Sequence, residues 1–98
     1  MTNSTDPILD AAVLVPIYRE DGNGSPLNIV LVRRTEGAPH GAQFALPGGK
    51  RAPEDDNLLD TALRETREEI GLEPDSVEIL EELPAVDTVT TGFLIYPY

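Results

Sequence analysis

Apolar positions change their spacing twice along this chain, and each change marks an element. Ala11-Ala12-Val13-Leu14-Val15-Pro16-Ile17-Tyr18 is a near-continuous apolar run. That is the pattern of a buried strand, with Pro16 marking an edge or a bulge because it has no N–H to donate. Asp21-Gly22-Asn23-Gly24-Ser25-Pro26 is turn chemistry. Leu27 to Val32 follows as a second strand, so the two are expected to form a hairpin with a long loop. Thr35 to Ala42 is a loop containing Gly and Pro, and Gln43 to Leu46 is a short strand entering Pro47-Gly48-Gly49.

The spacing then becomes helical. Leu59, Ala62, Leu63, Thr66 and Ile70 recur every three or four residues and form a core-facing stripe. Asp55, Asp56 or Asn57 can cap this helix at its start, and Gly71 suits its end. Val77 to Leu83 and Phe93 to Tyr96 are expected as two further strands. The last of these is apolar, and no later element exists to pair with its edge or cover its face.

Composition narrows the class. The 98 residues suffice for one compact domain, 40% of them are hydrophobic and 26% charged, and disorder throughout is excluded. A formal net charge of -11 argues against binding nucleic acid through its phosphates, which needs clustered Lys and Arg. There is no Cys, so disulfides and thiolate metal sites are excluded. Residues 1–10 are expected as a flexible arm that lacks the basic start and long apolar run of a signal peptide. No apolar run approaches membrane-spanning length, and a soluble cytoplasmic protein is expected.

The chemistry lies on the helix. Glu65, Glu68 and Glu69 stand at i, i+3 and i+4, off the apolar stripe and on one face. Like charges packed that closely repel one another unless a positive charge sits among them. A hard divalent cation shared with substrate phosphates is the natural counter-charge. The Gly48-Gly49 turn supplies backbone that can approach the same site closely.

Leu46-Pro47-Gly48-Gly49 together with Arg64-Glu65-x-x-Glu68-Glu69-x-Gly71-Leu72 resembles the Nudix box of the Nudix hydrolases, here spanning about residues 49–72. The usual box is Gly, five residues, Glu, seven residues, then Arg-Glu, an apolar residue, any residue, Glu-Glu, any residue, Gly and an apolar residue. Thr66 departs from the apolar position. Asp56 replaces the first Glu, with six residues separating it from Gly49 instead of five. An Asp in a loop longer by one is similar to the coenzyme A diphosphatase branch. So are Thr61-Ala62-Leu63-Arg64-Glu65, His40-Gly41-Ala42-Gln43 and Thr91-Gly92-Phe93-Leu94, although the branch usually has His-x-Gly-Gln.

The resemblance implies an α/β/α sandwich with a mixed sheet, one domain over residues 1–98, incomplete within this chain because family members are generally longer. It implies that Mg²⁺ or Mn²⁺ is held by Glu68 and Glu69, with Glu65 a third ligand or the group that activates water. Arg64 would orient the glutamates, to which it is linked as an i, i+4 pair with Glu68. The implied substrate is a small nucleotide diphosphate, coenzyme A first, with ADP-ribose or a dinucleotide as the alternative. A truncated, non-catalytic binding module is the rival class. Gly48, Gly49 and Lys50 are weaker candidates for substrate contact, as are Arg33 and Arg34, for which plain surface charge competes. Asp55 and Asp56 divide between capping and a metal shell. His40 suits a structural hydrogen bond. Tyr96 and Tyr98 suit a core or an interface. The uncovered last strand points to a homo-oligomer, or to a domain completed by another chain.

Overall fold

The computed structural model describes residues 8–22, 24–34, 43–88 and 92–98. Its centre is a four-stranded mixed sheet in the order β6-β1-β8-β7, formed by β1 (Leu9–Val13), β6 (Gly48–Lys50), β7 (Val86–Thr88) and β8 (Phe93–Pro97). Strand β1 runs antiparallel to β6 and parallel to β8, with Ala12 opposite Gly49 on one side and Tyr96 on the other. Two small hairpins flank this sheet. One pairs β2 (Ile17–Tyr18) with β3 (Asn28–Ile29), and the other pairs β4 (Val32–Arg34) with β5 (Gln43–Ala45).

The single α-helix among the described residues, α1 (Leu58–Ile70), packs on β1 and β6. Small residues set how closely they meet: Ala12 and Ala62 are fully buried, and Ala11 nearly so. Asn57 is the cap, its side chain accepting from the Asp60 N–H at 2.8 Å. Gly71 ends the helix with φ 72°, a left-handed conformation suited to Gly, and its N–H returns to the Arg67 carbonyl. The buried face is more polar than the expected stripe. Thr61, Ala62 and Thr66 are fully buried, while Leu59, Leu63 and Ile70 are half-buried. Thr66 tolerates burial because its hydroxyl donates to the Ala62 carbonyl at 2.7 Å.

The apolar run from Ala11 to Tyr18 is two strands, not one. Around Pro16 the chain leaves the sheet, although the Val15 N–H still bonds the Tyr98 carbonyl. The first strand begins at Leu9, so Leu9 and Asp10 belong to the sheet. Leu27 to Val32 likewise divides between β3 and β4. Gly48 and Gly49 lie in strand β6 and not in a turn. Val77 to Leu83 forms no strand. The place beside β8 is taken by Val86–Thr88, and the preceding segment bonds the sheet through the Leu83 N–H to the Pro97 carbonyl.

The expectation of an unpaired last strand is corrected. Strand β8 lies between β1 and β7 and is hydrogen-bonded along both edges. What stays open is an apolar groove of about 850 Å³ beyond the C-terminal end of α1, lined by Leu14, Ile17, Ile70, Val77, Leu83 and Tyr98 among others. No described helix is long and apolar enough to cross a membrane. The architecture is α/β, a mixed sheet carrying a helix, as expected.

Candidate active site

The site is built where α1 crosses β6. Strand β6 has two glycines because the helix and β1 leave no room for side chains there. A Cβ on Gly48 would run into the Ala12 carbonyl and the Val13 backbone, and one on Gly49 would strike the Glu65 carboxylate. The sequence therefore needs Gly here for lack of bulk, not for flexibility.

Asp55 anchors the loop that leads into the helix. It is buried, and its carboxylate accepts from the Ala52 N–H at 2.8 Å and the Thr61 hydroxyl at 2.8 Å. Arg64 completes the set with a two-pronged contact, Nε to Oδ1 at 2.9 Å and Nη2 to Oδ2 at 3.0 Å. The Arg64 hydrogen bond is the main reason the Asp55 carboxyl sits well below the usual carboxylate range, against the opposing effect of burial. The same bond raises Arg64 above an ordinary guanidinium. Arg64 also donates to the Lys50 carbonyl at 3.2 Å and to Glu68 at 3.3 Å, and lies 3.6 Å from Glu65. One pinned guanidinium thus positions the β6 backbone and two of the three glutamates.

The glutamates differ in setting. Glu69 accepts from the Gly48 N–H at 2.8 Å through Oε1 and from Arg34 at 3.1 Å through Oε2. Glu68 is the most exposed, its side chain 57% accessible. Glu65 lies over Gly49, and its carboxyl is pushed up, first by burial and then by the charges of Glu68 and Glu69, with Arg64 opposing. Among the described residues no three acidic or imidazole groups converge as a ready ligand set. In this conformation Glu68 turns to Arg64, and Glu69 to Gly48 and Arg34. The donors nevertheless suit a hard divalent cation. All are carboxylate oxygens on one helix, the oxygen-donor chemistry that such cations take.

The remaining candidates separate. Arg34 reaches the site, whereas Arg33, one residue earlier on β4, is exposed and forms no ion pair with a described residue. The Lys50 ammonium stands 5.6 Å from the centre of the Phe93 ring, a cation–π contact. Asp56 is exposed, and its backbone carbonyl accepts from Arg51 at 3.2 Å. Tyr96 and Tyr98 are half-buried, Tyr96 in β8 and Tyr98 beside the groove. His40 lies outside the described residues. The sequence left Asp55 undecided and passed over Thr61. The available signal was a Thr at a buried helical position, one turn before Arg64 and six residues after an Asp.

A Nudix domain model matches residues 8–95. An uncharacterized Nudix hydrolase named NudL from Klebsiella aerogenes is 43% identical over 88 residues, 89% of this chain and 69% of that protein. NudL proteins of Citrobacter koseri and Salmonella newport are 40% identical over 87 residues and 38% over 97. This chain spans 43% and 48% of their lengths. The crystal structure of a Nudix hydrolase, RenU, from M. smegmatis superposes with a TM-score of 0.65 at 19% identity, covering 93% of this chain and 61% of that one. A MutT/nudix family protein from Enterococcus faecalis gives 0.65 at 24% identity, covering 95% of this chain and 36% of that one. These two likenesses concern the fold. The match over nearly the whole sequence, the helix-on-sheet architecture and the Arg64-Glu65…Glu68-Glu69 helix set over two glycines agree, and the chain belongs to the Nudix hydrolase family.

Proposed function

We propose that this protein is a cytoplasmic hydrolase that uses Mg²⁺ or Mn²⁺ to cleave the diphosphate linkage of a nucleoside diphosphate derivative, with coenzyme A or a related compound as substrate. The observation that carries this reading is the setting of Glu65. It is a partly buried carboxylate with a raised proton affinity, held over a backbone stripped of side chains, with Glu68 and Glu69 on the same side of the helix. The functional unit is the segment of about residues 49–72 within a single domain.

Glu65, Glu68 and Glu69 would hold the cation. The chemistry it supplies when bound is neutralisation of diphosphate charge, a lowered pKa of bound water and support for the leaving oxygen. The rest falls to the protein. Arg64, fixed by Asp55, keeps Glu68 and Glu65 from drifting apart in spite of their like charge. Glu65, held over Gly49, is either the third ligand or the carboxylate that takes a proton from the attacking water. Gly48 and Gly49 let the β1 backbone and the Glu65 carboxylate close against β6. Lys50, engaged with Phe93, and exposed Arg33 are weaker candidates for phosphate contact than Arg34.

The coenzyme A assignment rests on the sequence around the box, with ADP-ribose or a dinucleotide as the alternative substrate. On the same reading the chain works as a homo-oligomer, or with its domain completed by another chain, supported by the open apolar groove rather than by the edge of β8. The test is hydrolysis of a panel of nucleotide diphosphates with Mg²⁺ or Mn²⁺ and identification of the products. Coenzyme A should yield 3',5'-ADP and a phosphopantetheine. Cleavage of ADP-ribose alone would move the assignment to that substrate, and no cleavage of any member would overturn the hydrolase reading.

A further inference from the structure

The pairing of Arg34 with Glu69 joins residues 35 positions apart, from β4 to the last turn of α1. It occupies the one carboxylate oxygen of Glu69 that the Gly48 N–H does not take. Both partners keep contact with solvent, their side chains being 48% and 20% accessible. Exchange of the guanidinium for another cation therefore needs no rearrangement of the core. The opposite end of Glu69 is fixed to strand β6, so the carboxylate itself stays in place while its counter-charge changes.

We infer that Arg34 is a built-in counter-ion for Glu69, which holds this carboxylate in the cation-free protein and must yield it before a divalent cation can bind there. The inference rests on Glu69 belonging to the cation site. Arg34 is then a positioning residue whose contact opposes cation binding while keeping the ligand in place. Two effects act in the same direction when its charge is removed. A competing contact disappears, and repulsion of the incoming cation falls. A purely structural role would act oppositely, since losing a support for Glu69 would loosen the site and weaken cation binding.

The experiment is titration of the full 98-residue chain with Mn²⁺ alone, followed by the electron paramagnetic resonance of the free ion. Arg34→Met should bind Mn²⁺ roughly threefold to tenfold more tightly than wild type, given the modest strength of half-exposed pairs. Arg34→Lys keeps the charge and should stay close to wild type. Arg33→Met makes the same charge change one residue away, outside any ion pair with a described residue, and should shift affinity by less than about twofold. In a Glu69→Gln background the gain from Arg34→Met should shrink to the part due to lost repulsion, less than about twofold. Equal or weaker binding in Arg34→Met, or an equal gain in Arg33→Met, overturns the inference while leaving the cation site standing. Absence of Mn²⁺ binding in wild type overturns the inference together with the cation-site reading.

Discussion

Asp55 is the residue on which the site depends most, although it carries no proposed chemistry. Its carboxylate satisfies an N–H, a hydroxyl and two guanidinium nitrogens at once. Asp55→Asn removes the charge and takes from Arg64, itself only 24% accessible, its buried carboxylate partner. Breaking a buried pair costs 3–5 kcal/mol, and the partial exposure of Arg64 reduces this to about 2–3 kcal/mol. The pH dependence follows from the lowered pKa. A carboxylate depressed in the folded state contributes its full stability above the unfolded value of about 3.9 and loses it as the pH falls toward the folded one. Urea unfolding should show wild type and Asp55→Asn well separated at pH 7, the gap closing below about pH 4. A gap that persists unchanged into acid would show that the pair is not the source of the difference.

At the level of elements, adjacent glycines do different work. Gly48 faces the β1 backbone, where nothing can move aside, so Gly48→Ala should destabilise the fold by about 1–3 kcal/mol. Gly49 faces the end of the Glu65 side chain, which can rotate away. Gly49→Ala should therefore melt close to wild type yet lose most of its turnover, because Glu65 is displaced. Thermal melts and rates on the two variants separate these roles, and a Gly49→Ala enzyme with full turnover would dissociate Glu65 from the chemistry. The helix and its ends were legible in sequence because Asn57, the three- and four-residue spacing and Gly71 are local signals. The glycine pair was misjudged as a turn, since the reason for it lies across the sheet in Ala12 and Val13. Strand β7 was missed, and its place was given to Val77 to Leu83, for a similar reason. Three residues gain strand character only through pairing with β8 and through the Thr88 hydroxyl, which donates to the Phe93 carbonyl and accepts from the Phe93 N–H.

For the molecule as a whole, the family could be recognised from one contiguous stretch, which also holds the helix face proposed to carry the chemistry, whereas the arginine arrangement could not. Arg33 and Arg34 look alike in sequence, and only the β4–β5 hairpin decides that Arg34 meets Glu69. The apolar groove is likewise a product of the fold, since Leu14, Ile70 and Leu83 come from separate elements. If association through apolar surface accompanies function, light scattering at micromolar concentration should give at least twice the 10.6 kDa chain mass, and a stable monomer would remove that proposal.

The central claim is that Glu65 takes part in metal-assisted diphosphate hydrolysis. Its most direct test compares wild type with Glu65→Gln on coenzyme A in the presence of Mn²⁺, with circular dichroism confirming that both are folded. Turnover in the variant should fall by about a hundredfold or more, since the substitution removes a cation ligand or the proton acceptor while keeping the side chain's size. Turnover within a few fold of wild type would contradict the account and leave Glu65 an ordinary acidic residue on the helix.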